Sequence, residues 1–296
     1  MFWNVTGQKL EFCLCIILLL AACMSAVWEG ELNKIQPVST GVRELPIYCV
    51  KTEEKRIAIT FDAAAGAWDT DVLLGILAAH NVRATFFVCG CWIRNHPDDA
   101  RKIFNAGHEI GNHGDQHLDP VLLSKDVLIT EIENQSAEVQ KLLGIKPILY
   151  RPAYGSYNTE VIRTARELGY EAIQWSVDSL DWKEYGAEEI KQRILNHTQL
   201  TNGAILLFHN DTAYTALALD EILTGLEEKG YVIGTVSDLI LDQPYEIDHN
   251  GCQYRGEEVT SSATDKDSES EDVYRGGEAE NGNGGNPEGD VGTVCG

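Results

Sequence analysis

The sequence predicts an α/β chain, a small or incomplete (β/α) barrel of about seven parallel strands with helices outside. Two observations carry this. Strand-like and helix-like runs alternate from about residue 55 to 241. Polar residues collect where the strand-like runs end, which is where such barrels present functional groups. A doubly wound open sheet is the competing architecture. No glycine-rich dinucleotide or phosphate loop follows any strand.

The elements follow in order. Arg56–Phe61 is an apolar β-type run, and Thr70–His80 is apolar at helical spacing with Asp69 or Thr70 as its N-cap. Arg83–Val88 is β-rich, Pro97–Ala106 is a helix stopped by Gly107, and His108–Gly111 is extended. Lys125–Leu143 is a long amphipathic helix with Gly144 as its stop. Pro147–Tyr150 is a short strand, Thr159–Leu168 a helix closed by Gly169, and Tyr170–Trp175 a strand. Ala187–Asn196 is a helix, Ala204–Phe208 a wholly apolar strand and Thr215–Lys229 a helix. Tyr231–Ile233 and a short helix over Thr235–Leu241 end the pattern.

The chain has 296 residues, 44% hydrophobic, enough for one large domain with extensions. Its formal net charge of −23 argues against binding nucleic acid through phosphates. Residues 1–28 read as a targeting segment: Lys9 precedes an uncharged apolar run over Phe12–Ala26, too short for a membrane span. A signal peptide, a lipoprotein signal with Cys23 as acceptor, and an uncleaved anchor stay open; each puts the remainder outside the cytoplasm. Any membrane contact is expected only through this segment. Residues 29–54 read as a linker, 55–243 as the folded domain and 244–296 as an acidic disordered tail. Of eight Cys, Cys49 and Cys252 are placed to tie the ends of the domain together, while Cys89-Gly90-Cys91 has no structural-zinc spacing. A monomer is expected.

The candidate chemistry sits after successive strands. Asp62 ends the first, before Ala63-Ala64-Ala65-Gly66, and is either a catalytic carboxylate or a turn cap. His113 and His117, four apart, are either a metal-binding pair or hydrogen-bonded surface imidazoles. Arg151-Pro152-Ala153-Tyr154-Gly155 is a sharp turn holding an Arg able to clamp a carboxylate. Trp175, Asp178, Asp181 and Trp182 suit a sugar-binding rim, against ordinary packing of indoles. His209 follows the apolar strand as a general acid or base, or a satisfied rim histidine.

In this order, Thr60-Phe61-Asp62, His113…His117, Arg151–Gly155, Asp181-Trp182 and Leu207-Phe208-His209 resemble the five motifs of the polysaccharide deacetylases of carbohydrate esterase family four, the NodB homology domain. The resemblance covers residues 55 to about 241 and implies a distorted (β/α) barrel. It also implies metal-assisted hydrolysis of N-acetyl groups on an amino-sugar polysaccharide such as peptidoglycan. His113 and His117 would bind a divalent metal, usually zinc. Asp62 would be the base, Arg151 its partner, and the Tyr154 amide an oxyanion donor. His209 would be the acid with Asp181 tuning it, and Trp182 and Leu207 would form the acetyl pocket. The family's first motif carries a second Asp, a third metal ligand, where this chain has Ala63. That lowers the expected metal affinity, with Asp69 or a water as the replacement ligand. The form Thr60–Gly66 followed by Asp69-Thr70 resembles a subgroup from spore-forming bacteria. Two other functions remain: a non-catalytic glycan-binding descendant, which Ala63 favours, and a metal-dependent amidase on another acylated amine. Retention of Asp62, Arg151, Asp181 and His209 favours the deacetylase.

Overall fold

The computed structural model describes residues 44–256. The expected targeting segment and the tail beyond 256 lie outside the described residues. Among those described, no helix is long and apolar enough to cross a membrane.

The chain runs β1 Cys49–Val50, β2 Arg56–Ala63, α1 Thr70–Ala79, β3 Thr85–Val88, α2 Gly90–Asn95, α3 Pro97–Asn105 and β4 Glu109–Asn112. It continues α4 Lys125–Leu143, β5 Leu149–Tyr150, α5 Thr159–Glu167, β6 Glu171–Ala172, β7 Val177–Asp178 and α6 Ala187–Leu195. It ends β8 Ile205–His209, α7 Thr215–Glu228, β9 Val232–Gly234, α8 Val236–Leu239, β10 Glu246–Ile247 and β11 Cys252–Tyr254. The main sheet has the order β6-β5-β4-β3-β2-β8-β7, with β9 paired to the start of β2. Every pairing in it is parallel. It is the curled, incomplete barrel of about seven strands that the alternation predicts, seven along the main path with β9 added beside β2.

β2 sits at the centre because it is buried along nearly its whole length, from Ile57 to Ala63. Strands covered on both faces read as continuous apolar runs. Its inner residues pack with Phe86 and Phe208, whose rings lie 4.9 and 5.7 Å from that of Phe61. The helices cover the outside: Leu73 and Leu77 of α1 and Leu219, Ile222, Leu223 and Leu226 of α7 are fully buried in the same core. The long helix α4 matches its sequence reading at both ends, with Ser124 as extended N-cap and Gly144 left-handed at φ 75°.

Two expected boundaries are too tight. Residues 44–54 are not a linker, and residues 244–256 are not disordered tail. β1, β11 and β10 form a second, three-stranded sheet. Ile47 bridges to Ile173 and Cys49 to Ala204, so this segment spans the gap between the two ends of the open barrel. The Val50 amide donates to Gly203, whose φ of +81° and tight approach to the Val50 carbonyl leave no room for a side chain. Strands of two or three residues carry no periodicity, so composition alone could not reveal them. The Cys49–Cys252 disulfide, expected from the sequence, locks the two ends together across 203 residues of chain.

Replacing both cysteines in Cys49→Ala/Cys252→Ala should therefore lower unfolding free energy by about 2–5 kcal/mol, read from the urea midpoint under non-reducing conditions. An unchanged midpoint would show that β1 and β11 hold without the crosslink.

Candidate active site

The C-terminal ends of β2, β4, β5, β7 and β8 open onto one cavity of about 570 Å³. Asp62, His113, His117, Tyr154, Trp182, Leu207 and His209 all line it. The parallel register explains the convergence: Asp62 pairs with His209 across β2 and β8, and Asn112, just before His113, pairs with Val88 and Tyr150.

Beneath the cavity lies a buried ion pair. Arg151 is fully buried and donates from Nη1 to Asp62 Oδ1 at 2.7 Å and to Thr60 Oγ1 at 2.8 Å. Its Nη2 donates to the Gln174 carbonyl at 3.1 Å, and its guanidinium carbon stands 4.1 Å from the Phe87 ring centre. Burial alone would raise the Asp62 pKa. The Arg151 charge, the largest opposing influence, outweighs it and holds the carboxyl below its ordinary value. Asp62 is thus an ionised carboxylate with one oxygen clamped.

The His113 Nδ1 lies 2.8 Å from the Arg151 carbonyl. A carbonyl only accepts, so Nδ1 carries the proton and Nε2 carries the lone pair. That lone pair faces Asp62 Oδ2 at 3.5 Å. Burial lowers the His113 pKa and pushes that of His117 down to about 3, so both rings favour the neutral form. The ring centres are 5.0 Å apart. His117 has φ +56°, and its buried Nδ1 has no hydrogen-bond partner. The loop between them is braced from α4, where Glu131 Oε2 accepts from the amides of Asp115 and Gln116. Asn112 Oδ1 accepts from the Gly114 amide.

These features fit a divalent cation. Two neutral imidazoles converge, one tautomer is fixed by a carbonyl, one nitrogen is orphaned, and a lone pair meets a carboxylate without a proton between them. Among the described residues, the group with the geometry to hold a metal ion is His113, His117 and Cys89, whose ligand atoms all lie within 4.8 Å of one another. Asp69, the expected replacement for the missing Asp, is not in it. Asp69 Oδ1 accepts from the Asp211 amide at 2.9 Å, and its buried Oδ2 has no partner. Sitting at the N-cap of α1, it braces the loop after β8 instead. It does not cap the helix with its side chain either.

On the opposite wall, Asp181 is fully buried and holds His209 twice. Its Oδ2 accepts from the His209 amide and its Oδ1 from Nδ1–H, both at 2.7 Å. Thr215 Oγ1 also donates to Oδ2, at 2.6 Å. Burial works to lower the His209 pKa, but the hydrogen bond and charge of Asp181 override it, and the net shift is upward. His209 therefore holds a proton more tightly than a free imidazole, beside the cavity.

Trp182 is over half exposed at the rim, Leu207 is buried in the wall, and the Tyr154 ring lies 4.4 Å from that of His117. Tyr154 has φ +59° in its tight turn. Leu180, Glu184 and Asp211 nearby also have positive φ. Such strain in non-glycine residues concentrates where a structure imposes a geometry for use. Sequence reasoning missed Cys89, Thr215, Glu131 and Asp211. Asp211 accepts from the Gly66 amide at 2.7 Å, and a Cβ on Gly66 would lie 2.5 Å from that carboxylate. Cys89 offered one signal, a thiol directly after a buried strand. The other three act across long sequence distances and left none.

Comparison with known proteins bears on this site. A polysaccharide deacetylase family profile matches residues 50–173. The chain is 33% identical over 199 residues to the peptidoglycan-N-acetylmuramic acid deacetylase PdaA of Bacillus subtilis, covering 66% of this chain and 75% of that one. It is 38% identical over 207 residues to the peptidoglycan-N-acetylglucosamine deacetylase PgdA of Listeria monocytogenes, covering 69% and 42%. The match spans 60% of a further relative, YlxY of Bacillus subtilis, so parts of these relatives lie beyond it. Among solved structures, a CE4 family pseudoenzyme from Bacillus anthracis superposes with a TM-score of 0.63 at 32% identity, covering 66% of this chain and 68% of that one. A mutant of that pseudoenzyme with restored enzymatic activity superposes equally, at 33% identity and with 66% and 70% covered. By sequence and by fold, the chain belongs to the polysaccharide deacetylase family.

Proposed function

We propose that this chain is an extracytoplasmic N-deacetylase of peptidoglycan-type amino sugars, with a divalent metal, zinc by preference, held by His113 and His117. One observation carries the reading. Asp62 and His209, each paired with its own buried partner, face the same cavity as the two neutral imidazoles. A glycan-binding protein has no use for such a matched base and acid. The named relatives support the substrate class, and the Cys49–Cys252 disulfide supports an oxidising compartment.

When bound, a divalent cation supplies Lewis-acid polarisation of the acetamide carbonyl and lowers the pKa of a water. The chain does the rest. Asp62, oriented by Arg151, takes the proton from the attacking water as its oxygen bonds to the carbonyl carbon. The Tyr154 amide, on its strained turn at the cavity wall, stabilises the negative charge that develops on the carbonyl oxygen. His209 gives its proton to the sugar nitrogen as the C–N bond breaks, leaving acetate and a free amine. Asp181 holds the Nδ1 proton and so directs Nε2 to this transfer. Leu207 and Trp182 receive the methyl group and the sugar face.

A second reading, a glycan-binding protein without turnover, is favoured by Ala63, which is buried and supplies no ligand, and by the pseudoenzyme relative. Acetate release separates the two. Wild type should release acetate from peptidoglycan fragments. Chelation should abolish release and zinc or cobalt should restore it, while Asp62→Asn should be inactive under all three conditions. Fragments bound without release, metal present, would establish the second reading.

The acid role of His209 has its own signature. Its raised pKa comes from Asp181, so Asp181→Asn lowers it and His209 loses its proton earlier as pH rises. The alkaline limb of the kcat/KM profile should therefore move to lower pH in Asp181→Asn. A limb that stays in place would assign the acid to another group.

A further inference from the structure

We infer that Cys89 supplies the third protein ligand of the metal site, as a thiolate standing in for the carboxylate that Ala63 removes. This rests on the metal reading proposed above for His113 and His117. Cys89 directly follows β3 and is fully buried. Its amide donates to the Ala63 carbonyl at 3.1 Å, so the thiol belongs to the residue hydrogen-bonded to the substituted position. The Sγ contacts the His113 carbonyl at 3.4 Å and lies within 4.8 Å of a ligand atom on each imidazole.

The nearby carboxylates lie outside this group, and each has an oxygen held by another partner. Asp62 is clamped by Arg151, and Asp69 supports the Asp211 loop. Asp115 pairs with Arg94 at 2.6 Å and accepts from Gln116. Among the described residues, that leaves Cys89 to complete the group. Charge agrees as well. Two neutral imidazoles with one thiolate carry the same net charge as two imidazoles with one carboxylate. Three protein ligands with a further position for water or substrate is the pattern of catalytic zinc sites.

Without a cation, the Cys89 thiol carries its proton and donates it in a hydrogen bond to the His113 carbonyl at 3.4 Å. On binding, the S–H bond breaks, a sulfur–metal bond forms and the proton leaves to solvent. The soft ligand selects zinc or cobalt over magnesium or manganese, a preference that two imidazoles and a carboxylate would express less strongly.

Cobalt titration of the metal-stripped full chain tests this directly, because a thiolate on cobalt gives a near-ultraviolet charge-transfer band and a carboxylate does not. Wild type should show the band. Cys89→Ser and Cys89→Ala should lose it and bind cobalt at least about tenfold more weakly. Ala63→Asp in the Cys89→Ala background should recover affinity without the band, and circular dichroism should show each variant folded. Cobalt bound by wild type without the band, or a band that persists in both Cys89 variants, would overturn the assignment while leaving a metal on the imidazoles. A wild-type chain that binds no cobalt, and releases no acetate with cobalt present, would overturn the metal reading along with it.

Discussion

The contact between Asp62 and Arg151 is the constraint on which the site depends. A guanidinium with no exposure is costly to bury, and here its charge is countered by Asp62 while both terminal nitrogens donate hydrogen bonds and Nε has no partner. Here it reaches Thr60 and Asp62 on β2 and the Gln174 carbonyl beyond β6, while the Arg151 backbone carbonyl accepts a hydrogen bond from His113 Nδ1–H. It also rests on the ring of Phe87 from β3. One residue, through its side chain and its backbone carbonyl, therefore sets the ionisation of the proposed base and the tautomer of the first proposed ligand, and ties several strand ends together. Breaking such a pair from either side leaves a lone buried charge, so stability and chemistry are coupled at this point.

The second constraint is topological. Parallel strands place their C-terminal ends at one rim, and β2 and β8 lie side by side there, with Asp62 opposite His209. The proposed base and acid approach the same cavity from adjacent strands. Each has its own buried partner, one cationic and one anionic. Asp62 is held in its charged form, and His209 is held with its proton. The two carboxylates, Asp62 and Asp181, take different roles because their surroundings differ.

Much of this was legible in the sequence. Helices such as α4 announce themselves through periodicity and a terminal glycine, and β2 and β8 through unbroken apolar runs. The polar residues after those strands could be named because strand ends are where parallel sheets expose chemistry. What could not be read was set by distant contacts. The strands β1, β10 and β11 exist because Cys49, Val50 and Gln253 find partners about 200 residues away. Asp69 has the chemistry of a ligand and a plausible position in the loop, yet the turn into α1 aims it at the Asp211 amide. Cys89 sits in a Cys-Gly-Cys sequence that matches no metal spacing, and only the fold brings it beside two histidines.

The central claim is that this cavity, despite Ala63, removes acetyl groups from amino sugars. Mass spectrometry of purified glycan fragments after incubation with the zinc-loaded chain tests it most directly. The account predicts fragments lighter by one acetyl group, with the loss mapped to a sugar nitrogen. Fragments that keep every acetyl group, under conditions where the chain holds zinc and binds the glycan, would contradict it.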